Sequence, residues 1–420
     1  MKKITKYNNG LTLVYYEMPD VRSAAIGVFV KTGSVNENAK NNGISHFVEH
    51  TMFKGTKKRS AFDIVAETDG MGAAINAYTS KTATCYYIQC VDSDFEKSAD
   101  ILSDIFFDSV FPDEELEREK GVILEEIAMC NDTPDDLSYE IATTAFYKGH
   151  ALSRPILGTK SNVSGFSRDD ILKYVGERYT SDNVVISVAG HVCFDKVYDV
   201  IGNKFALKFG NAVCGKNKIP LPATQSVYVK KFKKIEQGNV NVLFPSVSYD
   251  EPLFNATRIF NSVFGYGMSS RLYQNIRERS GLAYSVYSYL SPYEFTGHSM
   301  IYIGTNVANV EKALVAVSSE IDEVRKNGIT EEEFSRGKAQ IKSGLVFGLE
   351  SSVGVMNLLG KHAVRTGELA DIDALVADID AVTSADVAEA IVVNFKKENA
   401  TVGYVGPKID KNLLDILKNQ

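Results

Sequence analysis

The chain has no tryptophan, and only six histidines, ten prolines and five cysteines among its 420 residues. Each scarcity removes a class of explanation. Cys85, Cys90, Cys130, Cys193 and Cys214 are odd in number and match no CxxC spacing, so neither a disulfide framework nor a cysteine-based zinc site is indicated. Reduced, mostly buried thiols are expected instead. Positive charge is not in excess: 46 Lys and Arg face 53 Asp and Glu, for a net charge of −7. That balance offers no electrostatic footprint for nucleic acid, and it favours basic ligands over acidic ones. No apolar run is long enough to span a bilayer. The opening MKKITKYNNGLTLVYYEM lacks a continuous apolar stretch and a small-residue cleavage site, so it reads as a strand after a turn at Asn8, Asn9 and Gly10. A cytoplasmic protein without a membrane partner is the expectation.

What is present is a globular composition, 44% hydrophobic and 24% charged, in a chain too long for one ordinary core. Strands are predicted over 11–18 and 24–32, a helix over 44–53, a helix over 61–70, and strands near 73–79 and 83–91. Helical spacing follows over 95–109, 113–131 and 135–147, then over 168–179 and 194–208 around a strand near 184–190. Gly, Asn and two Pro cluster in GNAVCGKNKIPLPA, which suggests a linker at 213–223 between a first domain, 1–212, and a second, 224–420. After it the order of elements repeats, down to a long helix beginning at 330. DEELEREKGVI at 113–123 resembles TEEEFSRGKAQI at 330–341, with Leu116 on Phe334, Arg118 on Arg336, Lys120 on Lys338 and Ile123 on Ile341. The same offset puts Glu119 on Gly337 and Glu126 on Gly344. A duplicated scaffold thus carries carboxylates in one copy only.

The first copy also holds His46-Phe47-Val48-Glu49-His50. Positions i, i+3 and i+4 of a helix share a face, so two imidazoles can reach one metal ion with a carboxylate beside it. Zinc in a hydrolase takes three protein ligands and leaves a position for water, whose pKa it lowers to about 7. Glu49 can then take the proton and pass it to the leaving amine. The order HxxEH, the reverse of HExxH, is the inverzincin pattern. Glu125 and Glu126 are candidates for a third ligand. They lie on a helix whose apolar Val122, Ile123, Ile127 and Met129 suggest burial, and where adjacent residues point about 100° apart. Helical geometry alone does not choose between them.

HFVEH followed by EKGVILEE resembles the pitrilysin, insulysin and mitochondrial processing peptidase family. The resemblance covers nearly the whole chain, through FKGT at 53–56, INAYTS at 75–80, CYYIQ at 85–89, PILGT at 155–159 and SSRLYQNIRERSGLAYSV at 269–286. It implies an α+β fold of two homologous domains, each an antiparallel sheet flanked by helices, and a zinc endopeptidase. The family pattern puts the third zinc ligand on Glu126 and a supporting acid, which orients a ligand histidine, on Glu119. Asn76 and Ala77 fall on the family's edge strand, which pairs with the substrate backbone. Arg277 and Tyr284 fall on a signature that holds substrate and stabilises the tetrahedral oxyanion. Asp136 and Glu140, four apart on a helix, fall where the processing peptidase receives an arginine near the cleavage site. Family members enclose a chamber with four such domains. A two-domain chain is therefore expected to form a homodimer in which Arg277 and Tyr284 serve the partner subunit's zinc site. Two rivals bear on this reading. Some relatives are non-catalytic partner or scaffold subunits, but those usually lack an intact metal motif. S-ribosylhomocysteine lyase also uses HxxEH, but its chains are short and have no second domain.

Overall fold

The computed structural model describes residues 1–210, 213–215 and 219–419. In chain order the first half gives β1 (Lys2–Lys6), β2 (Thr12–Glu17), β3 (Ser23–Val30), α1 (Ile44–Thr51), α2 (Ala61–Gly70), β4 (Ala74–Thr79), β5 (Thr84–Val91), α3 (Phe95–Asp108), α4 (Asp113–Asp132), α5 (Pro134–Phe146), α6 (Lys160–Gly165), α7 (Arg168–Arg178), β6 (Val184–Gly190) and α8 (Phe194–Lys204). The second half gives β7 (Tyr228–Phe232), β8 (Gln237–Ser246), α9 (Phe254–Gly265), a π-helical segment (Tyr273–Arg279), β9 (Ser285–Pro292), β10 (Gly297–Asn306), α10 (Val310–Asn327), α11 (Glu331–Gly348), α12 (Ser352–Thr366), α13 (Ile372–Ala381), α14 (Ser384–Asn394), β11 (Thr401–Gly406) and α15 (Leu413–Lys418). The expected elements are present, with ends shifted by a few residues. The sequence pattern does not mark β1, whose residues are mostly exposed, nor α6, nor the elements after α11.

Two sheets result, ordered β1-β2-β6-β3-β5-β4 and β7-β11-β8-β10-β9. Each is mostly antiparallel, as expected, and flanked by helices; each also contains one parallel pair, β2 with β6 and β7 with β11, so the sheets are mixed. The parallel pairs arise because β6 and β11 return late in the chain and lie beside early strands.

Two compact units are formed, and neither is a continuous half of the chain. The first gathers Met1–Ile127, Arg154–Lys218 and Val346–Asp371; the second gathers Ala128–Ser153, Ile219–Leu345 and Ile372–Gln420. The expected boundaries therefore miss a reciprocal exchange, in which α12 packs on β2, β3 and β6 while α5 packs on β7, β8 and β11. Of the expected linker, residues 216–218 lie outside the described residues. Missing side chains permit the exchange. A Cβ on Gly360 of α12 would stand 2.2 Å from the Phe29 ring, and one on Gly403 of β11 would stand 2.7 Å from Ala142 of α5.

The first sheet is covered on both faces, which is why β3 is buried along nearly its whole length. Ile26, Val28 and Val30 point into the core shared with α1, α3, α7 and α8. Gly27 and Phe29 point the other way, against Met356 and Gly360 of α12. Among the described residues no helix is long and apolar enough to cross a membrane. Of the cysteines, which are all free thiols, Cys85, Cys90 and Cys214 are buried, Cys130 is half-buried and Cys193 is exposed.

Candidate metal centre

The start of α1 is built with unusual care. Gly43 precedes it at φ +99°, and a Cβ there would meet the Cα of Gly158 at 2.7 Å. Only glycine fits both conditions. No side chain at that position can cap the helix, so Glu37, 4% exposed, does so from the preceding loop. Its carboxylate accepts from Gly43 N at 2.8 Å, Ser45 N at 2.9 Å and the Asn42 amide at 2.8 Å. An anion at a helix N-terminus satisfies orphan donors and opposes the positive end of the dipole. Replacing Glu37 by Ala leaves Gly43 N and Ser45 N buried and unpaired, while the Asn42 amide keeps only its bond to Pro155 O at 2.8 Å. It should destabilise the first unit by on the order of 3 kcal/mol, read as a fall in the denaturant midpoint. A shift under about 0.5 kcal/mol would show that the cap contributes nothing beyond an ordinary surface residue.

Ile44, Phe47, Val48 and Thr51 bury one side of α1, leaving His46, Glu49 and His50 on the other. There they meet α4. Nε2 of His46 lies 3.7 Å from Oε2 of Glu126, and Nε2 of His50 lies 3.7 Å from Oε1 of the same carboxylate. Donor atoms of all three residues fall within 4.8 Å of one another, and this is a group among the described residues able to hold a metal ion. The spacing is too long for hydrogen bonds. Two ligands about 2.0–2.1 Å from a tetrahedral zinc would stand roughly 3.4 Å apart, so the three groups fit the ion. Glu125, the other candidate, is exposed.

The chemistry of the donors fits as well. Burial first, then the neighbouring His50, pushes the His46 imidazole down to about 4, which keeps it neutral with a lone pair to give. Its Nδ1 is buried with no hydrogen-bond partner among the described residues. His50 is held differently. Its Nδ1 donates to Oε2 of Glu119 at 3.1 Å, which leaves Nε2 as the lone-pair nitrogen facing Glu126. Burial alone would lower His50, but the bond to Glu119 and the charges of Glu126 and Glu49 outweigh it and raise it. Glu119, 5% exposed, is likewise opposed by burial, yet its bonds to His50 and Lys54 hold its carboxyl below the usual range. The Lys54 ammonium sits 2.7 Å from its other oxygen. Lys54 lies in the FKGT segment at 53–56, and nothing else in the sequence marks it for this role.

Glu49 does not join the three. Its Oε2 accepts from the Thr79 hydroxyl at 2.5 Å, and burial raises its carboxyl above the usual range. Thr79, also missed in the sequence, ends β4, the free edge of the first sheet. Ser80 N donates to Ala83 O at 2.8 Å across the β4–β5 turn. Antiparallel alternation from that pair turns the backbone groups of Ala77 and Thr79 away from β5, toward the open edge. Ala77 N confirms the register, because it bonds the Asn76 side chain at 2.8 Å rather than β5.

The remaining predicted residues belong to the second unit. Arg277 and Tyr284 are brought together there: the guanidinium lies 5.6 Å from the Tyr284 ring centroid and 4.8 Å from that of Tyr273. Tyr284 is 75% exposed, so its hydroxyl faces outward. Asp136 and Glu140 lie one turn apart on α5. Burial and the adjacent Asp135 raise the Asp136 carboxyl.

Fold and donor geometry together define the class. A profile described as "Insulinase (Peptidase family M16)" matches residues 12–160, and "Peptidase M16 inactive domain" matches 165–341. The chain belongs to peptidase family M16. Its relatives include the "Uncharacterized zinc protease YmxG" of Bacillus subtilis, 37% identical over 374 residues that cover 89% of this chain and 91% of that one. An uncharacterized zinc protease of Streptomyces coelicolor is 34% identical over 97% of this chain and 90% of its own. Among solved structures, a peptidase M16 inactive domain from Pseudomonas fluorescens superposes with a TM-score of 0.90 at 19% identity, covering 98% of this chain and 99% of that one. A protease from Helicobacter pylori superposes with a TM-score of 0.87 at 21% identity, covering 97% and 100%.

Proposed function

We propose that the protein is a zinc-dependent endopeptidase acting on peptides or unfolded segments. The observation that carries this is the convergence of His46, His50 and Glu126 beside a separate, buried Glu49. Zinc held by the three ligands supplies Lewis acidity and lowers the pKa of water to about 7. Glu49, raised by burial and steadied by Thr79, takes the proton from water and returns it to the leaving amine. Glu119, kept anionic by Lys54, fixes the His50 ring and tautomer. The outward amide and carbonyl of Ala77 pair with an extended substrate backbone once the Asn76 side chain swings off Ala77 N.

The same reading gives the second unit two tasks. Arg277 and Tyr284 supply a cation and a phenolic donor to the oxyanion of the partner subunit's zinc site in a homodimer. Asp136 and Glu140 receive a basic side chain upstream of the scissile bond. One experiment tests these together: the zinc-loaded full chain is given paired peptides differing by Arg or Ala at each upstream position, over a dilution series followed by light scattering. Cleavage is expected, faster for Arg at one position, with activity falling as dimer gives way to monomer. No cleavage of any peptide sinks the enzymatic reading. Equal rates for Arg and Ala sink the role of Asp136 and Glu140, and a fully active monomer sinks the shared site.

A further inference from the structure

The exchanged helix α12 brings a cation to the edge of the first sheet. Tyr78 of β4 donates its hydroxyl to Oδ1 of Asn357 at 2.8 Å. The Asn357 amide in turn donates to Val353 O at 3.0 Å, within α12 itself. The Tyr78 ring is thereby fixed, and the Lys361 ammonium lies 5.1 Å from its centroid. One turn of helix separates Asn357 from Lys361, so both face the strand. The Lys361 charge also reaches the Cys85 thiol, which pairs with Tyr78 in the β4–β5 register and is otherwise pushed up by burial. Two neighbours thus place the same ammonium at the outermost strand. Lys361 is exposed and makes no ion pair among the described residues. A cation resting on an aromatic face, with no carboxylate opposite, is a poised half of an interaction.

We propose that Lys361 is a specificity residue that reads an acidic side chain on the bound peptide. The inference rests on the use of the β4 edge for substrate. Side chains alternate across a strand, so an added strand points successive residues to opposite faces of the sheet. The peptide residue opposite Ala77 points to the α1 face, where Thr79 bonds Glu49. Its neighbour, opposite Tyr78, points to the α12 face. Phe29, Cys85 and Tyr78 form one cross-strand row on that face, and Phe29 touches Gly360. A carboxylate at that one peptide position meets Lys361, and the flanking positions do not. This differs from the basic preference assigned to Asp136 and Glu140, which lie in the other unit.

The test uses binding, so that it does not depend on turnover. The full-length zinc-loaded Glu49→Gln protein is titrated at low salt with amidated fluorescent peptides in which Glu or Gln is scanned through each position. Glu is expected to bind about two- to five-fold more tightly than Gln at one position, a preference that fades as salt is raised. Lys361→Gln should erase that preference, and Lys361→Glu should reverse it in favour of Lys at the same position. Melting temperatures should be unchanged, because the side chain is exposed. Equal binding of Glu and Gln peptides everywhere, or a preference that survives Lys361→Gln, overturns the proposal. If the parent enzyme cleaves peptides but shows none of this selectivity, the enzymatic reading stands and the role of Lys361 falls.

Discussion

Glu49→Gln should leave the metal content of the protein unchanged and lower kcat/KM by about 100- to 10,000-fold, the range expected for loss of a positioned general acid–base. The separation of the two effects follows from the geometry. Glu49 is outside the group formed by His46, His50 and Glu126, so its removal takes no ligand away. Gln has nearly the same volume, and its amide oxygen can still accept the Thr79 hydroxyl that Glu49 accepts at 2.5 Å. What Gln cannot do is take up a proton at neutral pH. Each tenfold loss corresponds to about 1.4 kcal/mol of barrier. Metal stoichiometry and single-peptide kinetics on the same preparation check both halves. A variant that keeps its zinc and retains more than about a tenth of the parent rate would remove Glu49 from the proton transfer. A variant that loses zinc would mean that Glu49 acts as a ligand after all.

His46, Glu49 and His50 were legible in the sequence because their relation is local. Three positions within five residues of one helix share a face whatever the rest of the chain does. The third ligand is long-range, and helical geometry left Glu125 and Glu126 equal. α4 is also less buried than its apolar residues suggest. Val122 is 45% exposed and Met129 64% exposed, while the buried row is Leu116, Glu119, Ile123 and Ile127. That row has the i, i+3, i+4 spacing of a single face, and it already contains Glu119. A carboxylate on an apolar stripe asks for partners, and it finds them in His50 and Lys54. Lys54 and Thr79 carried no signal of their own, because they meet the site only through the loop after α1 and the end of β4. The helix exchange was illegible for a similar reason. Val355, Met356, Leu359 and Ala363 mark a buried helical stripe. Which sheet that stripe covers depends on close approach at Gly27 and Gly360, and a repeat read along the chain assigns it to the nearer half.

Zinc affinity should separate three of the glutamates of α4 in the order Glu126, Glu119, Glu125. Glu126→Gln removes the carboxylate whose two oxygens stand 3.7 Å from the ligand nitrogens of His46 and His50. The loss should exceed about 100-fold, more than for a residue that only supports a ligand. Glu119→Gln keeps all three donors but loosens the His50 ring and replaces by an amide the carboxylate that sets its tautomer, and should cost about 10- to 100-fold. Glu125 is exposed and points about 100° away from Glu126, so Glu125→Gln should change affinity less than about twofold. Competition against a chromophoric chelator measures the constants directly. Thermal unfolding gives an independent readout, because an ion that binds only the folded state stabilises it by RT ln(1 + [L]/Kd). Added zinc should raise the melting temperature of the parent and of Glu125→Gln by similar amounts, raise that of Glu119→Gln less, and leave Glu126→Gln almost unmoved. Before zinc is added, and at a pH where His50 is uncharged and so loses no attraction to Glu126, Glu126→Gln should be no less stable than the parent. Its carboxylate makes no hydrogen bond to either imidazole at 3.7 Å, and His46 is held neutral by burial without it. If Glu125→Gln instead abolished the zinc-dependent shift, the two neighbouring glutamates would have to exchange roles. α4 would then have to turn by about 100° from the orientation that buries Leu116, Ile123 and Ile127.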